Sequence, residues 1–529
     1  MPTPLTPVRF LYRAASLFGK KVGVISGNDR LTYAQFAERC ERLASALRRE
    51  GIQPGDRVAY LSFNTHRLLE GYYGVVMAGA VVMPLNVRLS PAELAGILNH
   101  SGARLLFFEN DFLPLIAHLR AACGTVRKFI PLDGPAEGAG ECYEELLQSA
   151  SPEPVDWTSV DENSPAELFY TSGSTGTPKG VILSHRTLYL HGMSVALLYE
   201  DSDRTVALHT IPLFHANGWG HAHSATLLGA TQVMVRRFDP SAVFGLIQEH
   251  RATDMSLVPT MANALLNAPD REQYDLSSMR RIMIGGAASS PELIERMEKA
   301  FRCQVMAGYG LTETAPVLTV AKLKSTIQPA SDAERYRRLA MAGWPVPGVE
   351  LRVVDSQMRD VPRDLQTIGE IVARGDHIMS GYFEDPEGTA AVMTDGWFHT
   401  GDMAVWDEEG YVHIVDRKKE IIISGGENIS SLEIEKAICA HPDVNECAVV
   451  AAPDEKWGEV PAAVVHLKPG ARLSADALLE FLGSRLARFK LPRRIEFTQE
   501  PLPKTGTGKI RKLELRERFW AGKERRVQG

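Results

Sequence analysis

An α/β fold is predicted for this chain: a large N-terminal domain of layered α/β subdomains with a β-rich subdomain, followed by a small α+β C-terminal domain. Three observations predict it. Short apolar runs alternate with helical patterns, the signature of helices packed on largely parallel sheets. At 529 residues the chain exceeds what one core organises, on a scale of roughly 150 residues per unit. A charged turn, Asp416-Arg417-Lys418-Lys419, separates two apolar strands and opens a stretch with its own pattern.

Taken in order, residues 58–61 read as a strand, 67–78 as a helix and 80–84 as a strand. Ser90-Pro91-Ala92-Glu93 opens a helix with a capping box and a proline in its first turn, and a strand at 104–108 follows. Residues 166–169 are a strand leading into a glycine-rich loop. Residues 281–284 form a short apolar strand, Gly285-Gly286 a turn, and residues 289–292 a second capping box before a helix at 293–301. The polar segment 322–338, with Arg335, Arg337 and Arg338, reads as a solvated surface connection. Strands at 350–354, 369–373 and 411–415, broken by Gly, Pro and Asp, make the β-rich subdomain. The domain boundary falls between residues 416 and 417. Beyond it lie strands at 420–423, 447–451 and 462–467 and helices at 432–440 and 475–485, enough for an independent domain. The basic stretch 512–526 fits a disordered tail.

Composition narrows the function. Hydrophobic residues are 44%, charged residues 23% and the formal net charge is −7, which gives no basic field for nucleic acid. The six cysteines include no CxxC pair, as expected of reduced thiols in a cytoplasmic enzyme. The N-terminal prolines and arginine break any signal-like apolar core, and no run of about 18 apolar residues occurs, so stable membrane insertion is not expected.

Residues 170–180 read YTSGSTGTPKG. Gly173, Gly176 and Gly180 let a backbone approach an anion and adopt positive φ, Ser172, Ser174, Thr175 and Thr177 add hydroxyl donors, and Lys179 adds a compact charge. Flanking apolar strands argue against a linker, and the spacing fails the Walker A pattern. This is a loop for phosphate.

The loop resembles the phosphate signature of the adenylate-forming superfamily of acyl-CoA synthetases, firefly-type luciferases and peptide-synthetase adenylation domains. Further pieces follow in the family's order: GYGLTET at 308–314, TGD at 400–402, DRKKEIIISGGENIS at 416–430 and PKTGTGK at 503–509. The resemblance implies ATP, Mg2+ and coenzyme A as cofactors and a mobile C-terminal domain. It places Thr171, Glu313, His215 and Lys509 nearest the reacting atoms. Glu313 is the implied magnesium ligand, in keeping with that ion's preference for one or two carboxylates. Thr312 is the α-phosphate contact and Tyr309 the ring beside adenine, with Gly286, Ala287 and Ala288 packing against the base. Asp402 and Arg417 are the ribose contacts, a carboxylate being an acceptor for two adjacent hydroxyls. Lys419 is the hinge, about which the domain would present either Lys509 or the pantetheine-lining Gly425 and Gly426. Lys509 would bridge the substrate carboxylate and the α-phosphate, stabilising charge as it moves.

Residues 211–220, IPLFHANGWG, are expected to border the acyl pocket together with Gly286. They hold no acidic residue, and an α-ammonium buried without a carboxylate is costly, so amino-acid activation is disfavoured. LFHANGWG resembles the loop of bacterial fatty acyl-CoA synthetases whose tryptophan gates the tunnel, which implies that role for Trp219 and a medium- or long-chain acid. Trp219 as plain core packing stays open, as does His215 packing rather than contacting the carboxylate. Aryl or branched acids fill the same kind of pocket, and a luciferase-like oxygenase shares every nucleotide motif. The expected partners are a small carboxylic acid and coenzyme A, with a homodimer left open.

Overall fold

The computed structural model describes residues 3–136, 140–171, 178–424, 427–454, 456–483, 485–504 and 510–521. The chain forms two compact units, one of Met1–Leu351, Val372–His399 and Glu409–Val412, the other of Arg352–Ile371, Thr400–Glu408 and His413–Gly529.

The larger unit contains two sheets. In the nine-stranded one, Val22–Ser26, Thr231–Met234, Val206–His209, Asp254–Leu257, Arg281–Ile284 and Gln304–Gly310 pair in parallel, with antiparallel strands at both edges. In the seven-stranded one, Lys128–Pro131, Leu105–Phe108, Arg57–Leu61, Val81–Pro84 and Pro165–Thr171 are parallel neighbours, and Lys179–Ser184 and Gly381–Tyr382 add antiparallel. Runs such as Leu105–Phe108 and Arg281–Ile284 are buried at every position. Parallel strands covered on both faces read in this continuous way, without alternation. The Ser90 capping box forms as expected, with Ser90 Oγ accepting from Glu93 N.

Three expectations are corrected. The cap at 289–292 is one residue late: Ser290, not Ser289, accepts from Leu293 N and starts the helix Pro291–Phe301. The buried Ser289 hydroxyl finds no partner among the described residues. The segment 322–338 is not merely a surface connection, since it contains the helix Asp332–Leu339, whose Arg335 grips Glu298 at 2.5 Å. The basic tail folds over most of its described length as the helix Lys512–Trp520.

The smaller unit is organised by an antiparallel hairpin of Val444–Asp454 and Gly458–Leu467, with Ile422–Ser424 and Arg494–Thr498 pairing to the second strand. Residues alternate between faces with the period of a strand. Val449, Ala451, Ala463 and Val465 pack with Ile434, Ile438, Leu478 and Leu482; Val450, Ala462 and Val464 pack with Leu515. This second face holds the helix Lys512–Trp520. Trp520 donates from Nε1 to Ala451 O at 2.9 Å, and Lys512 is held by Glu420 at 3.0 Å and Glu435 at 2.8 Å. Burial lifts the Glu435 carboxyl above its usual range, with Lys512 opposing.

Trp520→Ala removes a buried aromatic and one hydrogen bond and is expected to destabilise the smaller unit by about 3–5 kcal/mol. Urea unfolding of the full chain measures this; a midpoint within error of the parent would show that the terminal helix adds nothing.

Candidate active site

The phosphate-type loop joins the two strands of a hairpin. Thr171 closes Pro165–Thr171, Lys179 opens Lys179–Ser184, and the two face each other in register. Ser172, Gly173, Ser174, Thr175, Gly176 and Thr177 lie outside the described residues. Gly180 does not match its expectation of positive φ: it lies in the strand, where a Cβ would sit 3.1 Å from Leu168, Phe383 and Tyr170. The residue must be small because side chains close on it from both sides.

Lys179 ion-pairs with Asp385 at 3.2 Å and stands 4.4 Å over the Tyr382 ring. Tyr382 in turn donates to Glu313 Oε1 at 3.0 Å. Burial, and then the Glu313 charge, push the Tyr382 phenol up, so it stays protonated and donates. Asp385 caps the short helix Pro386–Ala390 through Gly388 N at 2.7 Å, and that bond, followed by Lys179, holds its carboxyl low. The sequence reading missed Tyr382 and Asp385. They arrive because Gly381–Tyr382 pairs with Val181 and Ile182, a contact between segments some two hundred residues apart.

Glu313 lies half-buried in the turn Thr312–Thr314, with Met379 N donating to its carbonyl at 2.8 Å. Its carboxylate takes one bond from Tyr382 and has acceptor capacity left for a cation. Thr312 is half-buried beside it, and Tyr309 lies at the end of Gln304–Gly310. Gly310 is required there, because any Cβ would collide with the Pro316 carbonyl. Glu109, Asp111 and Asp133 also cluster at ligand spacing, but Arg236 and Arg237 pair with the first two, of which Glu109 is buried, so that cluster is an ion-pair network.

At the end of Arg281–Ile284, Gly286 has φ +76° and is exposed with Ala287 and Ala288. Trp219 packs here: a Cβ on Gly285 would be 3.1 Å from its indole and one on Gly286 3.4 Å. Only 6% of Trp219 is exposed, and it shares an apolar cluster with Ile211, Met283 and Met306. His215 is exposed, so it does not pack in the core. Residues Ala216, Asn217, Gly218, Trp219 and Gly220 all have positive φ, at 47°, 46°, 64°, 63° and 80°. For Ala216 and Trp219 this costs of order 1 kcal/mol each.

Within the smaller unit, Arg417 Nε meets Asp402 Oδ1 at 2.6 Å, so the two expected ribose contacts are neighbours. Asp416, just before Arg417, accepts from Ser431 N at 2.6 Å at the start of the helix Ser431–Cys439. This anchor leaves Lys419 exposed in the following turn, its carbonyl accepting from Arg516. Gly425, Gly426 and Lys509 lie outside the described residues.

Residues 11–383 match the AMP-binding enzyme family and residues 433–509 the AMP-binding enzyme C-terminal domain. The chain belongs to this family. It is 41% identical to a long-chain-fatty-acid–CoA ligase of Thermus thermophilus, covering 96% of this chain and 95% of the relative. It is 40% identical to a feruloyl-CoA synthase of Amycolatopsis, covering 96% and 98%. The anthranilate CoA ligase AuaEII, solved with anthranoyl-AMP, superposes with a TM-score of 0.86 at 26% identity over 98% of both chains. The chain is an AMP-forming acid–thiol ligase of the adenylate-forming class, as its motifs implied.

Tyr382→Phe deletes only the bond to the Glu313 carboxylate. The rate of acid-dependent pyrophosphate release is expected to fall roughly 10-fold, the worth of one hydrogen bond to a charged group. An unchanged rate would remove Tyr382 from the site.

Proposed function

We propose that the chain activates a medium- or long-chain fatty acid with ATP and passes the acyl group to coenzyme A. The carrying observation is Trp219, seated with Ile211, Met283 and Met306 against Gly285-Gly286, a wall of apolar groups suited to a hydrocarbon tail. The similarity to the long-chain-fatty-acid–CoA ligase of Thermus thermophilus supports the same acid class. An aryl acid is the second reading, favoured by the feruloyl-CoA synthase at nearly equal identity.

In this reading, a carboxylate oxygen attacks the α-phosphorus, pyrophosphate leaves, and a mixed anhydride forms. Catalysis of this kind is positioning and charge neutralisation. Thr171, Ser172, Gly173, Ser174, Thr175, Gly176, Thr177 and Lys179 hold the phosphates. Tyr382 orients Glu313, which would hold Mg2+, the ion supplying charge neutralisation at the phosphates when bound. Thr312 contacts the α-phosphate, and Tyr309 and Gly286–Ala288 flank adenine. Asp402, with Arg417 at its side, accepts from the ribose hydroxyls. His215 contacts the acid's carboxylate, and Lys509 bridges that carboxylate to the phosphate. Residues 417–529 act as a lid turning at Lys419, so that Gly425 and Gly426 serve the thioester step instead. The described residues include no helix long and apolar enough to cross a membrane; a cytoplasmic location is part of the proposed reading. A homodimer is compatible with this chemistry.

Lys509→Ala is expected to abolish adenylate formation while leaving thioester formation from pre-made acyl-adenylate largely intact; equal loss of both half-reactions would end the rotating-lid reading. Trp219→Ala is expected to shift chain-length preference, over acids from acetate to palmitate plus benzoate, more than it shifts the KM for ATP. An unchanged preference would return Trp219 to plain packing.

A further inference from the structure

The left-handed turn at 216–220 is held by a buried carboxylate that the adenylation chemistry does not use. We propose that Glu167 is a specificity-positioning residue, acting through Asn217 to fix the turn that presents Trp219 to the acyl pocket. The inference rests on the reading that Trp219 borders the acyl group.

Glu167 is fully buried and divides its two oxygens. Oε2 accepts from Asn217 Nδ2 at 2.8 Å, and Oε1 meets His223 Nε2 at 2.7 Å. A carboxylate is acceptor-only, so His223 carries its proton on Nε2 and presents Nδ1 to the Tyr73 hydroxyl at 3.3 Å. Asn217 Oδ1 accepts from Gly220 N at 2.6 Å, closing the turn from within. Every polar atom of the Asn217 amide group is thus directed either at Glu167 or across the turn.

The turn needs such a clamp. Asn tolerates positive φ better than most residues, but Ala216 and Trp219 do not favour it. Position 220 must also be glycine, because a Cβ there would collide with the His191 imidazole of the helix His185–Tyr199. Trp219 follows Asn217 by two residues, so the clamp sets where its indole meets Gly285-Gly286. Glu167 stands four residues before Thr171 on one strand, which places the anchor of the acyl loop and the first residue of the phosphate loop on the same rigid element. Sites held on strands by locked polar partners keep their geometry better than sites on loops alone.

A double-mutant cycle tests this. Asn217→Asp sets a second carboxylate against Glu167, and Glu167→Gln turns one of the two acceptors into a donor, which either opposes the Asn217 amide or requires His223 to move its proton to Nδ1 and reverse its bond to Tyr73. In the pair Glu167→Gln/Asn217→Asp, Gln donates to Asp, Gln accepts from His223, and Asp still accepts from Gly220 N. Each single variant is expected to flatten the chain-length profile and raise the KM for the preferred acid roughly 10-fold, the scale of coupling between contacting residues, with the KM for ATP nearly unchanged. The double variant is expected to restore profile and KM. Asn217→Gly keeps the positive φ without strain and should also flatten the profile, which keeps the test decisive if a charged single variant fails to fold. A double variant no closer to the parent than the singles, or an Asn217→Gly profile like the parent's, would overturn the inference. Trp219→Ala in the same panel separates the two claims. If it leaves the profile unchanged, the acyl-pocket reading fails; if it shifts the profile while the cycle shows no coupling, the role of Glu167 fails alone.

Discussion

The strand Pro165–Thr171 is the constraint on which the larger unit's site depends. It is the last parallel strand of its sheet and the first of an antiparallel hairpin, so its register is fixed from both sides. Because side chains alternate along it, one strand buries Leu168 in an apolar layer and directs Glu167 to a polar cluster. Its end delivers Thr171 opposite Lys179, and the strand Gly381–Tyr382, paired to the far side of Lys179–Ser184, delivers Tyr382 and, by a short turn, Asp385. A one-residue slip would exchange every face and lose the Glu167 contacts.

Charge is handled differently on the two sides of this strand. Towards the phosphate loop, Lys179, Asp385, Tyr382 and Glu313 form a partly exposed chain of opposite charges and one phenol, which can exchange partners at modest cost because solvent is near. Towards the acyl side, Glu167 is sealed from water and bonded at both oxygens, and removing a partner there would strand a charge in low dielectric. The first arrangement suits groups that must release and rebind phosphate. The second suits a fixed wall.

Much of the fold was legible because parallel strands buried on both faces are continuous apolar runs, as at 105–108 and 281–284, and because Ser90 and Glu93 state a helix start locally. The cap at Ser290 was misplaced by one residue since two serines compete for it and only geometry chooses. The terminal helix was hidden because its sequence is dominated by charged residues, while the few residues that fix it, Leu515 and Trp520, gain meaning only against the far face of the Val444–Asp454 hairpin. The same limit applies at the site. Local motifs showed Lys179, Glu313, Asp402 and Arg417, and the structure sets the last two side by side. Tyr382, Asp385 and the Glu167–Asn217–His223 cluster depend on contacts between distant segments, and nothing in their immediate sequence marks them.

All of these placements serve one claim, that a carboxylate oxygen of the acid becomes bonded to the α-phosphorus of ATP. The most direct measurement is a complete turnover with acid labelled with 18O in its carboxylate, followed by mass spectrometry of the nucleotide product. The account predicts AMP carrying one 18O atom from each acid consumed. Unlabelled AMP, or ADP as the product, would contradict it.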